Sequence, residues 1–152
     1  MARHRFRPRF RGVALTAVGV GGGLAGVTLV AAGFVVLPVV TGLVGVGLGA
    51  VYLASPVWRL SVTTDERGMS VGSDAQQRFS LAWDEVVRVI ASPSTTTCFV
   101  DGGTPEKSLL VPGPGAIAPY DIDDKKALYD EILAHVAGDK VTIVEALDQA
   151  PR

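Results

Sequence analysis

The chain lacks acids for its first 64 residues, the earliest being Asp65, and it has no charged residue of either sign from Val13 through Trp58. A run of 46 residues without Asp, Glu, Lys or Arg excludes a wholly water-exposed chain. Cysteine is nearly absent. With Cys98 alone, no intramolecular disulfide can form. Histidine is limited to His4 and His135, and no His-x-x-x-His pair exists to start a metal site. No metal or cofactor is therefore expected. Cys98 stands in the strand-like run Thr97–Val100, which suits a buried structural thiol better than a nucleophile.

What is present is strongly segregated. Residues 1–12 carry Arg3, Arg5, Arg7, Arg9 and Arg11 against no acid, a charge of +5. From Arg59 onward 9 basic residues face 15 acidic ones, a charge of −6. Five arginines directly before an apolar run read first as a signal that holds the N-terminus in the cytoplasm. Contact with lipid headgroups is the second reading of that tip, and nucleic acid the third. The acidic remainder repels nucleic acid and anionic lipid headgroups, so neither is expected as its partner.

As one straight helix, the uncharged run would be about 69 Å long, against a hydrocarbon layer of about 30 Å. Two crossings fit, with Pro38 in the first turn of the second, where its missing N–H costs nothing. The expected spans are 13–34 and 38–58. Both termini then lie in the cytoplasm, the membrane being the inner one. A cleaved leader and a re-entrant loop are the competing readings of this stretch. Gly21–Gly26 satisfies G-x-G-x-x-G, but no acid follows about 20 residues later to hold a ribose, so no dinucleotide is expected. The pairs Gly19/Gly23, Gly22/Gly26 and Gly45/Gly49 are better read as smooth helix faces for close packing, between the two spans or with another chain.

Beyond Trp58 the pattern changes to a period of two. Short strands are expected around 58–63, 69–71, 79–83, 86–91, 98–100 and 108–111. Asp65–Gly68 reads as the first turn, with Gly68 able to take positive φ. The Pro-Gly-Pro-Gly run at 112–115 stops regular structure, and the following segment reads as an ordered loop with a brief last strand. One helix follows, capped by Asp121 or Asp123 and stopped at Gly138, with Leu128, Tyr129, Ile132, Leu133 and Val136 as its apolar stripe. Residues 140–144 read as extended, and 147–152 as a frayed end.

Two local patterns carry a family resemblance. Leu60–Val71 resembles the first hairpin, and Phe79–Val86, with Trp83-Asp84-Glu85, resembles the strand-to-corner segment, of the bacterial pleckstrin-homology-like domains of small membrane proteins. The resemblance covers about 58–137. It implies a partly open, seven-strand antiparallel β-barrel closed at one end by a C-terminal helix, with Trp83, Phe79, Leu81, Leu128 and Ile132 in its core. Lipid-binding relatives hold phosphoinositides with clustered Lys and Arg around the first hairpin. Here that turn offers Asp65, Glu66 and Arg67, so phosphoinositide binding is not expected.

The resulting expectation has four segments: a basic cytoplasmic N-terminus at 1–12, a transmembrane hairpin at 13–58, a pleckstrin-homology-like domain of mainly β or α+β content at 59–138, and a tail at 139–152. No partnered nucleophile occurs, and the acid pairs Asp65/Glu66, Asp84/Glu85 and Asp123/Asp124 have structural roles as turn, corner and cap. A non-catalytic, membrane-anchored interaction module is the leading functional expectation. It would dock a protein through a strand edge or the loops at 73–77, 92–96 and 101–106. The alternative is an oligomeric membrane-complex subunit acting through the hairpin glycines.

Overall fold

A computed structural model of the chain describes residues 2–145, so the expected frayed end at 147–152 lies outside them. The chain divides into two compact units. One runs from Pro8 to Pro56; the other joins the N-terminal residues through Arg7 to those from Val57 on.

The first unit is a helical hairpin. Helix α1 (Arg11–Ala32) has 22 residues and α2 (Val36–Leu53) has 18. At 1.5 Å per residue they are about 33 Å and 27 Å long. Both are long and apolar enough to cross a membrane, by length and composition. Gly33, at φ +71°, turns the chain between them, and the Val35 N–H donates to the Gly33 carbonyl at 3.0 Å. Pro38 falls in the first turn of α2. The expected second span is trimmed at its C-terminal end: α2 stops at Leu53, and a separate 3₁₀ turn occupies Pro56–Arg59.

Among the described residues, the second unit holds nine strands and one α-helix. All six strands read from the sequence are there: β2 (Ser61–Thr64), β3 (Gly68–Gly72), β4 (Gln77–Ala82), β5 (Arg88–Ser92), β6 (Thr97–Asp101) and β7 (Leu109–Val111). Three more join them: β1 (Ala2–Pro8), β8 (Tyr120–Ile122) and β9 (Val141–Ile143). Helix α3 spans Lys125–His135.

The expected barrel is not closed. The strands form one sheet in the order β4-β3-β2-β1-β8 and a second in the order β7-β6-β5-β9. In a closed barrel β4 would pair with β5. Here β9 lies parallel to β5 and takes its free side, with Val89, Ile90 and Ala91 opposite Val141, Thr142 and Ile143. The described residues thus have mixed α+β content in two antiparallel-based sheets.

A single apolar cluster joins both sheets and the helix. Leu81, Leu128 and Ile132 are buried, as is Trp83, and Phe79 is partly buried against them. The Trp83 indole N–H donates to the Asp65 carbonyl at 2.9 Å, so the corner residue also ties down the first hairpin turn. Gly68 in that turn could take positive φ but does not. It is required for a different reason: a Cβ there would stand 2.3 Å from the Leu81 carbonyl oxygen of β4.

Helix α3 differs at its start. Asp124 occupies the N-cap position at φ +50°, with no side-chain cap bond. Both expected caps are engaged elsewhere, Asp121 with Lys125 and Asp123 with Arg7. The Asp123 N–H also donates to the Arg5 carbonyl at 2.9 Å. The chain is thus tied to β1 immediately before the helix, and Asp is among the residues that tolerate the left-handed conformation this demands. At the other end the helix ends at His135, capped by Val136, and Gly138 opens a 3₁₀ turn instead of ending it.

Candidate functional site

The N-terminal segment is the main structural departure from the sequence reading. Residues 2–8, expected as a separate basic tip, form an inner strand of the five-stranded sheet. Strand β1 pairs antiparallel with β2, with Ala2, Arg3, His4 and Arg5 opposite Thr64, Thr63, Val62 and Ser61. The period of two explains the composition. His4 and Phe6 are buried, while Arg3, Arg5 and Arg7 alternate with them on the exposed face. Phe6 sits against Tyr120, ring centroids 4.9 Å apart. The Tyr120 hydroxyl donates to the Leu110 carbonyl at 2.9 Å, and burial pushes its pKa up.

His4 is the most buried polar group of this strand, and its Nδ1 lies 3.1 Å from the Asp123 carbonyl oxygen. Its Nε2 is 3.9 Å from Glu131 Oε2, which accepts from the Thr64 hydroxyl at 2.7 Å. These contacts fasten β1 to α3 and β2. They are structural roles that sequence reasoning had not assigned.

Two of the arginines have specific partners within the domain. Arg3 donates to the Ser61 hydroxyl at 3.1 Å and pairs with Asp74 at 2.5 Å. Arg7 pairs with Asp123. Arg5 and Arg59 are exposed, and neither has a carboxylate within ion-pair distance among the described residues. Both line an open concavity of about 350 Å³ with Arg3, Trp58, Leu60 and Asp74. A second open, polar concavity of about 400 Å³ lies beside it, lined by Ser61, Thr63, Ser70, Gln77 and again Arg3 and Asp74.

Within the hairpin, only some of the expected glycines meet the other helix. A Cβ on Gly49 would stand 2.7 Å from the Ala14 carbonyl oxygen, and one on Gly45 3.3 Å from that of Ala17. Gly22 lies at the margin, 3.8 Å from Val46 Cγ2. Gly19, Gly23 and Gly26 do not meet α2: a Cβ on any of them meets nothing within 4 Å, which leaves the other expected use, packing with another chain. The closest approach is at Gly21 and Gly42, which lie outside the four-residue pairs. A Cβ on Gly42 would stand 2.4 Å from the Gly21 carbonyl oxygen, and one on Gly21 2.6 Å from that of Gly42. The signal that would have found them is a spacing of seven, Ala14 to Gly21 and Gly42 to Gly49, which keeps small residues on one seam of a left-handed helix pair.

The remaining chemistry-bearing residues are dispersed. Cys98 is fully buried, and desolvation pushes its thiol up to about 12. The Asp65 carboxylate accepts the Arg67 and Gly68 N–H groups at 2.8 and 3.0 Å, which holds it below its ordinary pKa. Glu85 accepts the Ala82 N–H. No group of three His, Cys, Asp or Glu side chains able to hold a metal occurs among the described residues.

The outer edge of the five-stranded sheet leaves backbone groups unpaired. At β4, the Trp83 N–H is given to the Arg67 carbonyl across β3, and Met69 and Val71 stand opposite Leu81 and Phe79. Alternation then turns the Ser80 N–H and carbonyl away from β3, where they have no backbone hydrogen-bond partner among the described residues, although the 3₁₀ turn Pro105–Lys107 approaches β4.

Compared with protein-family models, with curated proteins and with solved structures, the chain matches none.

Proposed function

We propose that the protein is a two-span membrane protein whose hairpin anchors a non-catalytic, pleckstrin-homology-like docking domain at the cytoplasmic face of the inner membrane. One observation carries the even-crossing topology. The segment before α1 and the segment after α2 supply adjacent strands, β1 and β2, of a single sheet. Strands about 5 Å apart cannot have their origins on opposite sides of a 30 Å layer. If the apolar run inserts, it crosses an even number of times, and its length has room for two. A cleaved leader is disfavoured for the same reason, since cleavage after α1 would remove a strand carrying the buried Phe6. The arginines keep their orienting role, because charge near a span acts whether or not the backbone is paired.

The docking part of the reading rests on the open β4 edge. An unpaired Ser80 N–H and carbonyl on a sheet edge can accept one more strand. Proline at this position removes only the outward N–H and leaves the pairing to β3 intact. The test is purification of the full-length protein from crosslinked native membranes, beside a Ser80→Pro variant. Loss of a stoichiometric partner from the variant supports edge docking. A partner retained equally by both contradicts it.

A second reading has its own observation. Gly19, Gly23 and Gly26 leave part of the α1 surface smooth and unoccupied by α2. A hairpin acting as an oligomeric subunit would use that face. Gly23→Leu should then disperse the complex while the domain stays folded, and an unchanged assembly would exclude this reading.

A further inference from the structure

We propose that the concavity lined by Arg5, Arg59 and Trp58 binds the phosphodiester of an anionic phospholipid headgroup. The proposal rests on the two-span reading above and adds a ligand to it.

Charge is the first argument. The chain from Arg59 on is acidic by six charges, yet this concavity gathers Arg3, Arg5 and Arg59 against Asp74 alone. Arg3 is already held by Asp74 and the Ser61 hydroxyl, so it forms a fixed wall. Arg5 and Arg59 remain as two uncompensated guanidinium groups in one concavity. Like charges placed together destabilise the free protein, and an anion between them removes that cost.

Position is the second argument, and it needs only the covalent chain. Arg5 lies six residues before Arg11, where α1 starts, and Arg59 six residues after Leu53, where α2 ends. Six residues reach at most about 20 Å. Both side chains are therefore confined to the neighbourhood of the interface if the helices span. Trp58, beside them, is of the type that favours headgroup level.

Chemistry is the third. A guanidinium fork matches two phosphate oxygens, and a phosphodiester carries one negative charge, which two arginines can surround. The concavity is open, so a headgroup can enter while its acyl chains stay in the bilayer. A multiply phosphorylated headgroup would need more cations than it offers, in keeping with the acidic first hairpin turn.

The full-length protein in detergent micelles tests this by native mass spectrometry. The probes are phosphatidylglycerol, phosphatidylcholine and inorganic phosphate. The wild-type chain should retain one phosphatidylglycerol in preference to phosphatidylcholine. Arg5→Gln with Arg59→Gln should weaken that binding roughly 30-fold, at about fivefold for each charge near a lipid surface. Arg67→Gln with Arg78→Gln, the same change in net charge elsewhere, should leave it unaltered. Should the first pair fail to fold, Arg59→Gln alone, on an exposed turn outside the sheet, should give roughly the fivefold loss. Equal weakening by both pairs, or no preference for the anionic lipid, overturns the proposal. So does displacement of the lipid by excess inorganic phosphate, which would make this a site for a soluble anion. Alkaline carbonate extraction of native membranes separates the two levels. Release of the protein contradicts the two-span reading itself, whereas retention without lipid preference contradicts only the headgroup site.

Discussion

One added methyl group should weaken the hairpin at Gly42 and strengthen it at Gly23. Both substitutions to Ala gain the same helix propensity, about 1 kcal/mol. Their surroundings differ. At Gly42 the new Cβ would meet the Gly21 carbonyl oxygen at 2.4 Å and the Ala25 Cβ and N at 3.0 Å, all on the opposing helix. Ordinary contact begins near 3.4 Å, so the helices must part by about 1 Å. A gap of that size forfeits a quarter to a half of the dispersion energy of the facing atoms, and overpacking of this kind costs about 1–3 kcal/mol. At Gly23 nothing lies within 4 Å, and the propensity gain stands alone. The difference between the two variants, about 1–3 kcal/mol, isolates the packing term because propensity cancels. Reversible unfolding of the full-length protein by SDS in mixed micelles, followed by helical circular dichroism, measures it. Equal midpoints for Gly42→Ala and Gly23→Ala would refute the reasoning. A larger loss at Gly23 would mean that another chain occupies that face.

Three further outcomes are expected. Phe6→Ala removes a buried ring from β1 and its contact with Tyr120, and should destabilise the β domain by about 3–5 kcal/mol in chemical denaturation. A loss no greater than that of an exposed residue would show that β1 is not part of the folded domain. Cys98, with its thiol pushed up to about 12, should resist alkylation at pH 8 until the domain is unfolded; rapid labelling of the native protein would contradict its burial. Asp65 has a folded pKa below its ordinary value, so its stabilisation is complete above that value and fades as pH falls through the depressed one. The gap in melting temperature between wild type and Asp65→Ala should accordingly be widest near neutral pH and narrow in acid. A gap independent of pH would refute the turn assignment.

The sequence disclosed the elements whose periodicity is local. Leu60–Val71 and Phe79–Trp83 alternate cleanly, and strands stand there. Leu128, Tyr129 and Ile132 recur at helical spacing, and they face the core. The hairpin was equally legible, because absence of charge over 46 residues admits few structures. What stayed hidden depended on pairing between distant segments. Arg3-His4-Arg5-Phe6-Arg7 alternates like a strand, but its charge masks its period, and its partner β2 lies beyond the whole hairpin. The two sheets leave β4 and β5 unpaired, and three residues at Val141–Ile143 pair with β5, a long-range contact that no local pattern announces. At the helix seam, four-residue glycine spacing was too permissive. The smaller residues also recur at seven, and only that register selects Gly21 and Gly42. The arginine concavity likewise needed the fold, since Arg5 and Arg59 are 54 positions apart in the chain.

The central claim is that the two ends of the hairpin meet in one sheet while the helices lie in the membrane. Arg3 and Thr63 are opposite each other on β1 and β2, and the Phe6 N–H donates to the Leu60 carbonyl at 3.0 Å. Alternation makes Arg3–Thr63 a non-hydrogen-bonded pair, with Cα atoms about 4.5 Å apart, within disulfide range. Arg3→Cys with Thr63→Cys, in a Cys98→Ser background, should therefore crosslink on mild oxidation of native membranes, in protein that resists carbonate extraction. Arg3→Cys with Thr64→Cys, one residue out of register and facing the opposite side of the sheet, should not. Failure of the first pair to crosslink in membrane-inserted protein, or equal crosslinking by both, would contradict the account.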